Sequence, residues 1–391
     1  MQVVRPCRPA SLSLKFLGPR TCRRSYSESS SSLLQLPPAE EWYTLFEHFD
    51  YDRAVIKRMD TARLVANSFL GDQSSVGGEG KVIIEAFPGP GTLSRALLEL
   101  PRSKVRKLII LEDNQDFLPY LKALADSDPR VHLVPLSGFV WDTYTHLEDS
   151  GLLSEIQAHP WDAGLHPQLH FISHLQRSIK GEQLIAQLFR CIPDKTWLYK
   201  YGRVPMSFVM SDWVWARISS PPHRSTRCKL SVIAEATADC HYSMDRNLLH
   251  PYDDHFHPIV KRTTTKKPEH RRLGYPFVAV NLVPHADQVI TPGTLEKWDY
   301  VLRRLFVLKS TPLKRAINSL APGAGSLLKP LTDPSLPPEQ HVDPNRPPRG
   351  LSLADWALVV RAFDQWPFAP EDLLVHDGVG GRQGTNGMVT I

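Results

Sequence analysis

The stretch Ile83-Ile84-Glu85-Ala86-Phe87-Pro88-Gly89-Pro90-Gly91-Thr92-Leu93 sets two glycines, Gly89 and Gly91, between an apolar run and a helical pattern. Glycine adopts left-handed backbone freely and lets main-chain amides approach a ligand, while the N-terminus of a following helix favours negative charge. Glu112 stands 21 residues past Gly91, at the end of the next apolar run. In doubly wound folds a carboxylate there accepts hydrogen bonds from ribose hydroxyls. A glycine pair by itself fits an ordinary tight turn equally well. The order of apolar run, turn, helix, apolar run and terminal carboxylate favours a nucleotide-binding corner.

Two basic stretches offer a different chemistry. Lys261, Arg262, Lys266, Lys267, Arg271 and Arg272 are interrupted only by Glu269, and Arg303, Arg304, Lys309, Lys314, Arg315 and Lys329 lie in a span with no acidic residue between Asp299 and Asp333. Such clusters neutralise phosphates and release counterions, which makes binding salt-dependent. A charge run is more often a solvated face; two clusters in one half of the chain favour nucleic-acid contact. Tyr199, Tyr201, Trp213 and Trp215 offer rings that stack on unpaired bases, with core packing the plainer use of most of them. His250, His255 and His257 with Asp253 and Asp254 have the composition of a metal site but read as loop residues. Cys7, Cys22, Cys191, Cys228 and Cys240 include no Cys-x-x-Cys pair. That argues against a zinc site or a disulfide framework and fits a reducing compartment.

Ordered elements must hold these groups. Short apolar runs at Val82 to Ala86, Leu108 to Leu111, Val131 to Val134, Leu169 to Ile172, Trp197 to Tyr199 and Ser207 to Met210 alternate with helical segments. This predicts an α/β architecture, a parallel sheet wrapped by helices. Ahead of it Glu40 to Leu70 follows helical spacing, and residues 71–80 form a polar loop. Behind it Phe277 to Val283 predicts one more strand, and Leu295 to Leu328 turns helical. Lys329 to Gly350 holds seven prolines in 22 residues and reads as a linker or extended surface segment. Leu353, Trp356, Val359, Val360, Phe363 and Trp366 then recur at amphipathic helical spacing. The expected organisation is an α/β domain over 40–285, a helical domain over 286–375 with a Pro-rich linker at 329–350, and a flexible tail over 376–391.

The first 27 residues carry Arg5, Arg8, Lys15, Arg20, Arg23 and Arg24 and no acid, so residues 1–26 read as a mitochondrial transit peptide. Subtracting these six charges takes the net charge from +5 to −1. Affinity for nucleic acid must then come from local patches. No apolar run approaches the roughly 20 residues that a membrane-spanning helix needs, so no membrane partner is expected.

With Glu85, Gly89 and Gly91 matching a Glu-x-Gly-x-Gly-x-Gly motif, the chain resembles the rRNA adenine dimethyltransferases. It also resembles their mitochondrial transcription factor B relatives, which include the fungal mitochondrial polymerase specificity factors. Tyr201-Gly202-Arg203-Val204 with Met206 to Arg217, Leu230-Ser231-Val232-Ile233 (similar to a Leu-Ser-Val strand) and Arg303 to Leu320 extend the likeness over roughly residues 40–375. The resemblance implies a Rossmann-like S-adenosylmethionine-dependent methyltransferase fold with a smaller C-terminal helical domain. It implies cofactor-binding positions at Glu85, Phe87, Gly89, Gly91, Glu112 and Ser137, and no metal.

The same comparison implies that the chemistry is lost. Methyl transfer to an adenine amino group needs an acceptor for that group and an aromatic ring against the base. The family supplies both from an Asn-Leu-Pro-aromatic motif after its fourth strand, where this chain reads Ser173-His174-Leu175-Gln176-Arg177. His174 stands for the asparagine and Arg177 for the ring. Phe87 replaces the motif's first glycine, and Ser137 replaces the acid that holds the cofactor's adenine, so no cofactor is required and S-adenosylmethionine binding is expected to be weak. The resemblance therefore points to a mitochondrial matrix initiation factor, a monomer that joins a single-subunit mitochondrial RNA polymerase and binds the melted strand of promoter DNA. An active rRNA adenine dimethyltransferase and a non-catalytic, rRNA-binding ribosome-assembly factor are the alternatives.

Overall fold

The structure, a computed structural model, describes residues 34–46, 52–71, 80–259 and 268–373, without the side chain of Arg271. The transit-peptide segment, the glycine-rich tail and Lys261, Arg262, Lys266 and Lys267 lie outside the described residues.

Seven strands form one sheet. In chain order they are β2 (Lys81–Ala86), β3 (Val105–Leu111), β4 (Val131–Val134), β5 (Leu169–His174), β6 (Met206–Ser211), β7 (Ala238–Tyr242) and β9 (Phe277–Pro284). Their spatial order is β4-β3-β2-β5-β6-β9-β7, with β9 antiparallel to both of its neighbours and all other pairings parallel. The expected α/β, Rossmann-like architecture is present, and its sheet is mixed rather than purely parallel. The reversed strand follows from chain path: β9 comes after the long excursion over residues 243–276 and inserts between β6 and β7.

β2, β5 and β6 are buried along their whole length because both faces of the sheet are covered. Alternate residues serve opposite faces. Val82, Ile84 and Ala86 join the apolar layer containing α5 (Trp141–Asp149), α6 (Ile179–Arg190) and α8 (Lys229–Thr237); Ile83 joins the layer under α2 (Met59–Leu70), α3 (Thr92–Glu99) and α4 (Leu118–Ser127). The first layer continues without a break into α10 (Leu295–Val307), α11 (Leu313–Ala316), α12 (Leu328–Leu331) and α13 (Leu353–Asp364).

Several expectations need correction. Glu40 to Leu70 is not one helix: α1 (Trp42–Leu45) is followed by β1 (Val55–Ile56), which pairs antiparallel with β8 (Phe256–His257) behind α9 (Tyr252–His255), before α2 begins. Tertiary pairing with a segment 200 residues away overrides local spacing. Trp197 to Tyr199 lies in a 3-10 helix, Trp197–Tyr201, because the Trp197 ring packs edge-on against Tyr144 and Phe171 instead of the chain pairing in the sheet. Leu230 to Ile233 belongs to α8, where Ser231 caps the helix start through the Cys228 N–H at 3.1 Å. An apolar run of four fits a buried helix as well as a strand. The polar edge strand β7 carries no such run and was not expected.

The proline-rich stretch is no linker. Leu331, Val342, Pro348 and Leu351 are buried, Val342 donates its N–H to the Leu331 carbonyl at 2.9 Å, and the Arg346 carbonyl accepts from the Leu313 N–H at 3.0 Å. Proline fixes φ and lacks a donor, which suits tight non-helical turns that pack as well as it suits extended chain.

Candidate functional site

β2 ends at Ala86, and the chain turns through Phe87 (φ 61°), Gly89 (φ 68°) and Gly91 (φ 89°) into α3. Glycine is required at 89, since a Cβ would come 2.5 Å from Val55 Cγ1. Phe87 holds left-handed backbone, a conformation that a Cβ disfavours. Its N–H donates to the Leu111 carbonyl at 3.0 Å, and its ring is buried beside Gly138, just after Ser137. Ser137 is half-buried in the loop after β4, and its carbonyl accepts from the Thr143 hydroxyl at 2.8 Å.

Glu85 points into the other layer, fully buried, with Ser94 Oγ donating to one carboxyl oxygen at 2.6 Å. Burial raises its pKa to about 8, the Ser94 hydroxyl opposing and the nearby Glu112 adding to the rise. Near neutral pH it is mostly a neutral carboxylic acid.

Glu112 follows β3 and is fully buried. Its two oxygens accept from Arg53 Nη1 at 2.8 Å, Arg53 Nη2 at 2.6 Å, the Gly89 N–H at 3.1 Å and the Asn114 N–H at 3.0 Å. The Arg53 guanidinium is 5.5 Å from the centroid of the Phe87 ring and 5.5 Å from that of Phe117. A guanidinium fork presents two parallel donors to a carboxylate. Adjacent ribose hydroxyls would present two donors to the same oxygens, so the chain's own arginine meets the hydrogen-bonding capacity that the sequence reserves for a ribose. Nothing in the sequence announced this: Arg53 precedes Glu112 by 59 positions, in a stretch that reads as helix.

β5 ends at His174, which is buried and makes no hydrogen bond of normal geometry through either ring nitrogen among the described residues. Burial first, then the charge of Arg53, push its pKa down to about 3, with the Ala54 backbone opposing. The imidazole is neutral, at the end of the strand that pairs with β2. Arg177 is largely buried, and its backbone N–H donates to the Asp52 carbonyl at 2.7 Å, tying the loop after β5 to the segment that carries Arg53.

Arg303, Lys309, Lys314, Arg315 and Lys329 are exposed, while Arg304 is half-buried with its guanidinium over the Tyr300 ring. Arg272 is exposed. Of the four aromatic candidates, Tyr199 and Trp215 are core residues and Tyr201 donates its hydroxyl to Glu148 at 2.9 Å. Trp213 is half-buried and stacked on His270, with ring centroids 4.0 Å apart. His255 bonds to Thr61 and His257 packs against Trp42 and Tyr43; no metal-holding cluster occurs among the described residues.

A family model, ribosomal RNA adenine dimethylase, matches residues 47–333. The chain belongs to this family. The ends of β2, β3 and β5 lie side by side at the left-handed turn, where open α/β sheets offer a crevice. Among similar proteins, "Mitochondrial transcription factor 1" of Saccharomyces paradoxus is 26% identical over 300 residues, covering 75% of this chain and 82% of that protein. "Dimethyladenosine transferase 2, mitochondrial" of Bos taurus is 26% identical over 306 residues, 74% of each chain. The crystal structure of a dimethyladenosine transferase from Plasmodium falciparum superposes with a TM-score of 0.50 at 13% identity, covering 79% of this chain and 97% of that one, a likeness of fold.

Proposed function

We propose that this dimethylase-family protein is a transcription initiation factor of the mitochondrial matrix that joins a single-subunit RNA polymerase and promotes promoter melting, without methyl transfer. The similarity to mitochondrial transcription factor 1 over three quarters of the chain supports the role and the compartment. The observation that carries the non-catalytic half is the Arg53–Glu112 pair. The residues do not fit S-adenosylmethionine: the carboxylate that would take the ribose already accepts four N–H groups, and the guanidinium between Phe87 and Phe117 adds a positive charge beside a sulfonium ligand. His174 offers no amide pair to an adenine.

The test compares a mitochondrial RNA polymerase, with and without this protein, on a duplex promoter and on one carrying a premelted bubble at the start site. Stimulation on the duplex and little on the bubble is expected. If the protein changes neither, the transcription reading is wrong. In parallel, labelled methyl transfer to a small-subunit rRNA helix at a rate typical of an active dimethylase would favour the enzyme reading suggested by the bovine relative's name.

A further inference from the structure

Three stretches without an acidic side chain, residues 213–234, 300–332 and 344–354, meet at one place on the surface. Lys309 Nζ donates to the Ser225 carbonyl at 3.1 Å, the Arg349 N–H to the Lys309 carbonyl at 3.2 Å, and the His223 N–H to the Arg349 carbonyl at 2.8 Å. The His223 ring lies against Gly350, where a Cβ would come 2.9 Å from Nδ1. His223, Arg224 and Lys309 are exposed and Arg349 is half-exposed. The site is continued by Lys314, whose ammonium donates to Asn345 Oδ1 at 2.8 Å.

The acids that border these stretches have partners of their own, four of them ion-paired. Asp212 pairs with Arg246, Glu235 with Arg227, Asp299 with Arg190 and Lys229, and Asp355 with Arg346; Asp333 and Asp343 accept from Ser335 and from the Asn345 N–H. Arg224, Lys309 and Arg349 make no ion pair among the described residues. His223 holds φ 71°, a left-handed backbone that residues with a Cβ rarely adopt, and the hydrogen bond to Arg349 keeps it there. Cations without ion pairs, contributed by separate segments and continued by Lys314 at Asn345, suit the successive phosphates of a polymer.

We propose that His223, Arg224, Lys309 and Arg349, continued by Lys314, form a phosphate track for the backbone of nucleic acid, at the seam between the loop joining α7 (Asp212–Ile218) to α8 and the helices after β9. The track lies at the end of α7 away from β6. It rests on the reading of the protein as a nucleic-acid binder and adds where the backbone is held.

The full chain and its R224A/K309A/R349A variant are titrated with labelled single-stranded DNA, duplex DNA and RNA over a series of KCl concentrations. The variant should bind more weakly, and its slope of log affinity against log salt should shrink by about 2, three contacts at roughly 0.7 each on a single strand. The R224K/R349K variant, which keeps the charge, should keep the slope. Wild-type protein that binds none of the three nucleic acids removes the nucleic-acid reading itself. Wild-type binding that the triple variant retains in both affinity and slope overturns the track alone. Should the triple variant melt early, R224E, at an exposed loop position, carries the same comparison.

Discussion

At the scale of single residues the pocket holds two titratable groups pushed in opposite senses from their ordinary values. Glu85 is raised from 4.5 to about 8, so between those values the unfolded chain ionises it and the folded chain does not. Its contribution is fully present below pH 4.5 and is lost as pH rises through 8. His174 is lowered from 6.5 to about 3, so its contribution is present above 6.5 and is lost as pH falls toward 3. Glu85→Gln should match the wild type near pH 4 and exceed it at pH 9 by on the order of a few kcal/mol, read from urea unfolding at both values. No gain at pH 9 would mean that Glu85 is ionised in the fold. Arg53→Ala should be more costly, about 3–5 kcal/mol, because it strands a buried carboxylate. Arg53→Met combined with Glu112→Gln should recover most of that loss. A single variant that unfolds at the wild-type midpoint would show that Arg53 is not the bolt between β1 and the turn.

At the scale of elements, the proline-rich stretch over 329–350 is anchored in the core at Leu331, Val342 and Pro348. Leu331 closes α12 and is 3% exposed, and its carbonyl accepts from Val342 across an intervening ten-residue turn. Leu331→Ala should therefore cost about 2–5 kcal/mol, the range for emptying a packed aliphatic site. A true linker would lose almost nothing, so a denaturation midpoint within error of the wild type would restore that description. In the left-handed turn after β2, Phe87 holds a strained backbone and contributes a ring to the clamp on Arg53.

At the scale of the whole molecule, one apolar cluster runs from Val82 and Ile84 through Val232 and Ile233 of α8 to Val301, Trp356 and Phe363. The sheet and the later helices share a core, so they should unfold together. Far-ultraviolet circular dichroism and tryptophan fluorescence should report coincident transitions, and a chain cut after Pro284 should aggregate because α8 would lose its cover. Two separated transitions would make the C-terminal helices an independent unit.

The α/β class, the left-handed turn between β2 and α3 and the family likeness were legible in the sequence, because these rest on local order: strand, turn, helix, strand, carboxylate. Glu85, Gly89, Gly91 and Glu112 were legible for that reason, as were β2, β3, β4, β5, β6 and β9. What fills the corner was not. Arg53 reaches Glu112, 59 residues on, because β1 pairs with β8 about 200 residues away and Gly89 leaves room for Val55. The same distance hid the reversed strand, the helical nature of Leu230 to Ile233 and the meeting of His223, Lys309 and Arg349. Residue type and spacing state what a side chain is able to bind; tertiary structure alone decided which partner arrived, since the desolvation that makes a buried carboxylate demand a cation exists only once the chain has closed around it.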